Sequence, residues 1–327
     1  MAGFVARVLS AVPPASGAVV MGTGIVSIGL SIDGQETLSR VLLVLAAAVW
    51  AVLGLLLAGR VLLDRTRARR EAGVPGALTG VAGTCVLGAR VSLLGWHHEA
   101  AALLALAVCV WVVLVPHILR SWTTPTVGVS FMLAVSTESL AVLAAVIGTR
   151  DRVRWLALAS YVVLAAGVAA YAFVFARFDL RQLLVGGGDH WVAGGALAIA
   201  TLACGRAAQA AQSFDTLHGL AAAFARASLV LWIAAALWLP ALIAGELVSR
   251  RLNYDLRRWS TVFPFGMYAA CSFVVGDVER IGGLVDFARV WVWVAFAVWL
   301  AAVTGLLRHT ASLWREHVLR ASTVRTR

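Results

Sequence analysis

The chain contains no lysine: all 27 basic residues among its 327 are arginine, which reads first as the codon bias of a GC-rich genome. Charge of either sign is scarce too, at 13% of residues, while 61% are hydrophobic and the mean hydropathy is +0.89. No water-soluble domain hides that much apolar surface, so a soluble fold is excluded. The formal net charge of +11 does not by itself mark a nucleic-acid partner, because the arginines gather in short loops and at the tail, as membrane topology requires. Cysteine is limited to Cys85, Cys109, Cys204 and Cys271, each inside an apolar run and without metal spacing; they read as small core residues. The seven histidines sit at the ends of apolar runs or in loops, and no two share one run, so a cytochrome-like haem pair is unsupported. No aspartate-rich motif, phosphate loop or His-Glu-x-x-His is present. The expectation is therefore no enzyme, no cofactor and no metal. A cleavable leader is not expected either, since Pro13-Pro14 interrupts the N-terminus and the following run is rich in glycine.

What the chain has is apolar runs of membrane length. Ten are counted: Ser16–Ser31, Val41–Gly59, Gly76–Gly95, Ala100–Pro116, Thr126–Gly148, Trp155–Phe175, Trp191–Arg206, Gly219–Gly245, Ser260–Gly276 and Leu284–Leu307. Runs near 20 residues match a hydrocarbon slab of ~30 Å, and their continuity argues against the short alternating strands of a barrel. The expected fold is an all-α integral membrane protein. Residues 1–15 form a short N-terminus, 16–307 the ten-helix domain and 308–327 a basic tail. Arginine is the topology signal. One side carries 18, including Arg60, Arg65, Arg67, Arg69 and Arg70; the other carries Arg40, Arg150, Arg152, Arg154 and Arg280. Both termini are thus expected in the cytoplasm, in a cell inner membrane.

Odd and even runs differ in kind. Glycine, serine and threonine make up 32 of 92 residues in the odd runs and 9 of 108 in the even ones. Small and hydroxylated residues suit close packing or a wet surface, whereas aliphatic and tryptophan-rich runs suit lipid. The expected arrangement is five helical hairpins around a central pore, with odd helices as an inner ring and even helices outside. Dry helix packing is the alternative for each odd run singly. Pro13-Pro14, Pro75 and Pro125 precede odd runs, Gly186-Gly187-Gly188 precedes the seventh, and Pro264 lies inside the ninth. Pro264 and Gly266 predict a helix kink, tolerated in lipid only against protein or a wet cavity.

The site expectations follow from this ring. Phe263 and Phe265 flank Pro264, and one of them is expected at a pore constriction. Thr23, Thr84, Ser136, Thr137 and Thr201 are candidate pore-lining hydroxyls, with bonding back to their own helices as the alternative. Glu138 sits mid-run on a helix expected to face the pore; it is either paired with Arg90 or another arginine, or a protonatable gate that repels anions when ionised. Arg90 and Arg206 attract anions or are ion-paired.

Several stretches resemble one family. Pro14-Ala15-Ser16 with Val20-Met21-Gly22-Thr23-Gly24-Ile25, Trp191 with Gly195-Ala196-Leu197-Ala198-Ile199, Trp238-Leu239-Pro240, and Tyr254-Asp255 followed by Val262-Phe263-Pro264-Phe265-Gly266-Met267-Tyr268 are similar to helices of the tellurite-resistance/dicarboxylate transporter family, which includes the plant slow anion channels and yeast malate permeases. The resemblance implies five hairpins around a pore, a homotrimer, anion conduction, and a ninth-helix phenylalanine, here Phe263, plugging the pore. The partners implied are inorganic or small organic anions and the lipid bilayer, with no nucleic acid. A proton-coupled C4-dicarboxylate carrier (malate or succinate) using Glu138 is the alternative within transport, and an integral-membrane enzyme the alternative outside it.

Overall fold

A computed structural model of the chain describes residues 12–122, 126–181, 190–248 and 254–325. Among these described residues, ten helices are long and apolar enough to cross a membrane. We number them α1 (Gly17–Ile32), α2 (Glu36–Leu63), α3 (Thr79–Leu93), α4 (His97–Arg120), α5 (Met132–Arg150), α6 (Arg154–Phe175), α7 (His190–Gln212), α8 (His218–Val248), α9 (Trp259–Val278) and α10 (Gly282–Arg325). The seventh run is longer than expected, and α10 carries on as helix through most of the expected tail. Pro125, the Gly186-Gly187-Gly188 run, Arg7, Arg250, Arg251 and Arg327 lie outside the described residues.

The odd helices are the inside of the molecule. Their apolar windows are 72, 78, 100, 89 and 78% buried in chain order, against 17, 17, 22, 17 and 22% for the even helices. Each odd helix packs on the next, α1 on α3, α3 on α5, α5 on α7 and α7 on α9, and α9 packs on α1 to close a five-membered ring. Glycine makes the closure possible. A Cβ on Gly17 would lie 2.6 Å from the backbone of Thr79 in α3, and one on Gly266 would lie 2.5 Å from Ile25 Cγ2 of α1. Gly266 thus serves close approach; α9 itself runs unbroken through Pro264. The even helices turn Leu55, Val113, Val162, Leu237 and Val290 outward, as lipid requires.

Each outer helix lies between its own inner partner and the next one, and a side-chain hydrogen bond fixes the second contact. The indole Nε1 of Trp50 (α2) donates to Thr84 Oγ1 of α3 at 2.9 Å, Trp111 (α4) to Thr137 Oγ1 of α5 at 3.0 Å, Trp232 (α8) to Ser272 Oγ of α9 at 2.7 Å, and Trp299 (α10) to Thr23 Oγ1 of α1 at 3.0 Å. At the remaining seam the Tyr161 hydroxyl of α6 reaches the Ala207 carbonyl of α7 at 3.5 Å. A buried indole N–H without an acceptor is costly. Trp111→Phe is therefore expected to lower stability by about 1 kcal/mol, and Thr137→Val to add little on that background. Thermal unfolding of the two single mutants and the double mutant in detergent checks this; additive losses would refute the bond.

The hairpin turns remote from the termini repeat as well. Gln35, Trp96, Val153 and Ile281 each donate a backbone N–H to the carbonyl five residues earlier, namely Leu30, Val91, Gly148 and Gly276. This is a Schellman closure, with the preceding residue in the left-handed conformation. Gly34 and Gly95 take that position at φ 84° and 83°, but Arg152 and Arg280 take it at 55° and 56°. A side chain there costs roughly 1 kcal/mol. Arg152→Gly and Arg280→Gly are each expected to stabilise by up to about that amount, read as a rise in Tm.

Candidate functional site

The N-termini of the inner helices converge at one end of the ring. Three-residue and four-residue 3-10 turns, Pro14–Ser16, Pro75–Leu78, Gly128–Phe131 and Leu256–Arg258, lead into α1, α3, α5 and α9. Proline suits such a start because its missing N–H has no helical acceptor there. Parallel helices put their positive dipole ends together at this mouth, which favours anions.

A cavity of about 290 Å3 opens at this end, and all five inner helices or their leading turns line it: Met21 of α1, Thr79 of α3, Met132 of α5, Val192 of α7 and Phe263 of α9. On α1 and its turn the lining residues include Ala15, Ala18 and Met21; on α9 and its turn they include Leu256, Ser260 and Phe263. Spacings of three and four mark one helical face, so these faces look along the axis of the ring. Met21 and Phe263 are the deepest lining positions on their helices. Beyond them, Ile25, Val86, Val135, Ile199 and Met267 join Phe263 in one apolar cluster drawn from all five inner helices. Phe263 is 4% exposed, lines the cavity and belongs to that cluster. Gly195 of α7 backs it: a Cβ there would come within 2.9 Å of Pro264 Cγ and 3.6 Å of Phe263 Cδ1.

Of the two phenylalanines, only Phe263 lines the cavity. Phe265 points away, stacked on Trp291 of α10 at 5.3 Å and tilted against Trp191 at 4.9 Å. The expectation that Thr23, Thr84 and Thr137 line the path is corrected. Their hydroxyls accept from tryptophans on the outer helices and so face the seams. Ser136 and Thr201 donate back to the carbonyls of Leu133 and Leu197 on their own helices, at 3.3 and 2.9 Å.

Arg90 and Arg206 part company. Arg90 is fully buried; its Nη2 donates to both carboxylate oxygens of Glu36 at 2.8 Å and its Nε to Ser39 Oγ at 2.9 Å. It is a structural ion pair. Arg206 makes no ion pair among the described residues; its Nη1 donates to Gln209 Oε1 at 2.8 Å. For Glu138 it is the expected pairing with an arginine that is corrected. It pairs with no arginine among the described residues, and both its oxygens are buried without a hydrogen-bond partner there. Its side chain packs against Gly167 of α6, where an added Cβ would lie 2.5 Å from its Cγ, rather than toward the cavity.

Sequence reasoning missed the apolar lining, Met21, Met132 and Val192. A signal was present: Thr23, Thr84 and Thr137 each stand nine positions after the first residue of their leading turns, Pro14, Pro75 and Gly128. That shared register makes a seam position and an axial position separable.

The profile of the SLAC1 family, described as voltage-dependent anion channel, matches residues 11–307. The chain belongs to this family. The match takes in the whole inner ring and the transmembrane outer helices, and it agrees with the tellurite-resistance/dicarboxylate resemblance. This member of the voltage-dependent anion channel family is thus a multi-pass membrane protein. It is also similar to a protein described as an uncharacterized membrane protein of Mycobacterium tuberculosis, in strains CDC 1551 and H37Rv. Each is 32% identical over 130 residues, which is 38% of this chain and 64% of the relative.

Proposed function

We propose that this protein lets small anions cross the membrane along the axis of its inner ring, with Phe263 as the ring that closes the way. One observation carries the reading: a single cavity is lined from all five inner helices and reaches Phe263. Support also comes from the family. The side bearing the termini is the cytoplasmic one by the arginine asymmetry, so the cavity is the cytoplasmic vestibule of a cell-membrane protein. A homotrimer completes the reading, resting on the resemblance. Seam-facing threonines leave the axis with an apolar lining. The desolvation penalty of an ion in such surroundings is severe and rises steeply with its charge, so monovalent anions are favoured over dicarboxylates.

The test is flux in liposomes holding purified protein, with chloride, nitrate, malate and tellurite compared across a pH series. Chloride and nitrate are expected to pass faster than malate. Acid-driven malate uptake without matching chloride current would instead establish the proton-coupled dicarboxylate carrier. One observation favours that second reading: the enclosed, unpartnered carboxyl of Glu138 is a place where a proton could travel with substrate. Under it, Glu138→Gln abolishes the pH dependence of uptake; under the channel reading, flux through Glu138→Gln keeps the wild-type profile.

A further inference from the structure

We infer that Arg206 is an anion-binding site at the mouth remote from the termini, holding one monovalent inorganic anion such as chloride or nitrate; this rests on the axial path proposed above. Position comes first. Val192 lines the axial cavity at the start of α7, and Arg206 follows it by fourteen residues, close to four full turns. The two side chains share a helical face some 21 Å apart along the axis. The charged neighbours of Arg206 come from the flanking inner helices, Arg150 at the end of α5 and Asp277 at the end of α9.

Charge comes second. Arg90, the other inner-ring arginine described above, is neutralised by a carboxylate at 2.8 Å. Arg206 is held instead by the neutral Gln209, whose Nε2 donates to Asp277 Oδ2 at 3.0 Å. The amide relays orientation from Asp277 to the guanidinium without cancelling its charge. Third, the Nε of Arg206 is buried and has no acceptor among the described residues. A guanidinium N–H lacking a partner in such surroundings is the donor an anion satisfies. Asp277, one residue removed, keeps the site from becoming a trap, as conduction requires.

The experiment is the chloride dependence of conductance in planar bilayers, with chloride varied on one side at a time. Arg206→Gln is expected to raise the half-saturating chloride at the remote mouth about tenfold, the scale of one charge-assisted hydrogen bond. Gln209→Glu, nearly isosteric, puts a carboxylate where the amide oxygen sits and is expected to give the same loss with Arg206 intact. Asp277→Asn is expected to shift the value the other way, by about twofold to threefold. Unchanged half-saturation in Gln209→Glu and Asp277→Asn channels that still conduct overturns the site. If the wild type carries no anion current, the conduction reading is at fault; the site is then judged by the rise in Tm that nitrate gives the purified wild type. A rise absent from Gln209→Glu supports it, and no rise in the wild type overturns it.

Discussion

Phe263→Ala protein is expected to carry more anion than wild type, by on the order of tenfold or more, as removal of a ring that dewets a constriction requires. The argument is local. The ring is the deepest α9 residue lining the vestibule, is 4% exposed, and joins an apolar cluster contributed by every inner helix. Shortening it to a methyl group removes one of the two aromatic rings, with Trp259, that line that space. Phe265→Ala is the matched control, since that ring stacks on Trp291 away from the cavity; it is expected to lower stability and leave flux per folded protein unchanged. Chloride efflux from liposomes at equal reconstitution decides it. A folded Phe263→Ala protein with wild-type flux would remove the gate from the proposal.

Breaking the buried ion pair is the largest expected effect on stability. Arg90 is 1% exposed and its partner Glu36 38%, and Glu36 also accepts from Arg40 and Ser31. Through Ser39 the pair joins a second bond set, in which Ser39 Oγ donates to the Ser27 carbonyl at 2.6 Å and Ser27 Oγ to the Ser39 carbonyl at 2.7 Å. The network ties α1, α2 and α3 together at the remote end. Glu36→Ala strands a guanidinium out of water. Because the carboxylate is partly exposed, a loss of about 2–3 kcal/mol is expected, at or below the low end for broken buried pairs. Arg90→Met, which removes the buried charge itself, is expected to cost less. Thermal unfolding in detergent ranks the two; an Arg90→Met protein less stable than Glu36→Ala would contradict this account.

The ring was legible in the sequence because its cause is compositional. Helices that pack on both flanks need small residues, and the odd runs carry them. Pro264 singled out Phe263 and Phe265 alike, and which of the two lines the cavity was not legible, because a stacking partner on another helix, Trp291, draws Phe265 away. The direction of a hydroxyl was not legible. Thr23 could face the axis or a seam, and an indole 276 residues away, Trp299, determines which. Glu138 misled for the same reason: its neighbour Gly167 sits on another helix. The repeat in the remote turns was hidden because arginine replaces glycine in two of the four described Schellman turns. By contrast, the partner of Arg206 stood three residues along the same helix, a spacing that sequence alone could have used.

The tryptophan bonds across the seams have a mechanical meaning. Every described seam is bridged by the outer helix that covers it, so the ten helices behave as a hoop whose joints are all latched. A hoop of that kind resists dilation, since spreading any joint unlatches an indole or phenol with nothing else to hold. On the axial path proposed above, changes in calibre would then fall to the smallest moving part, the Phe263 phenyl group swinging about its own bonds.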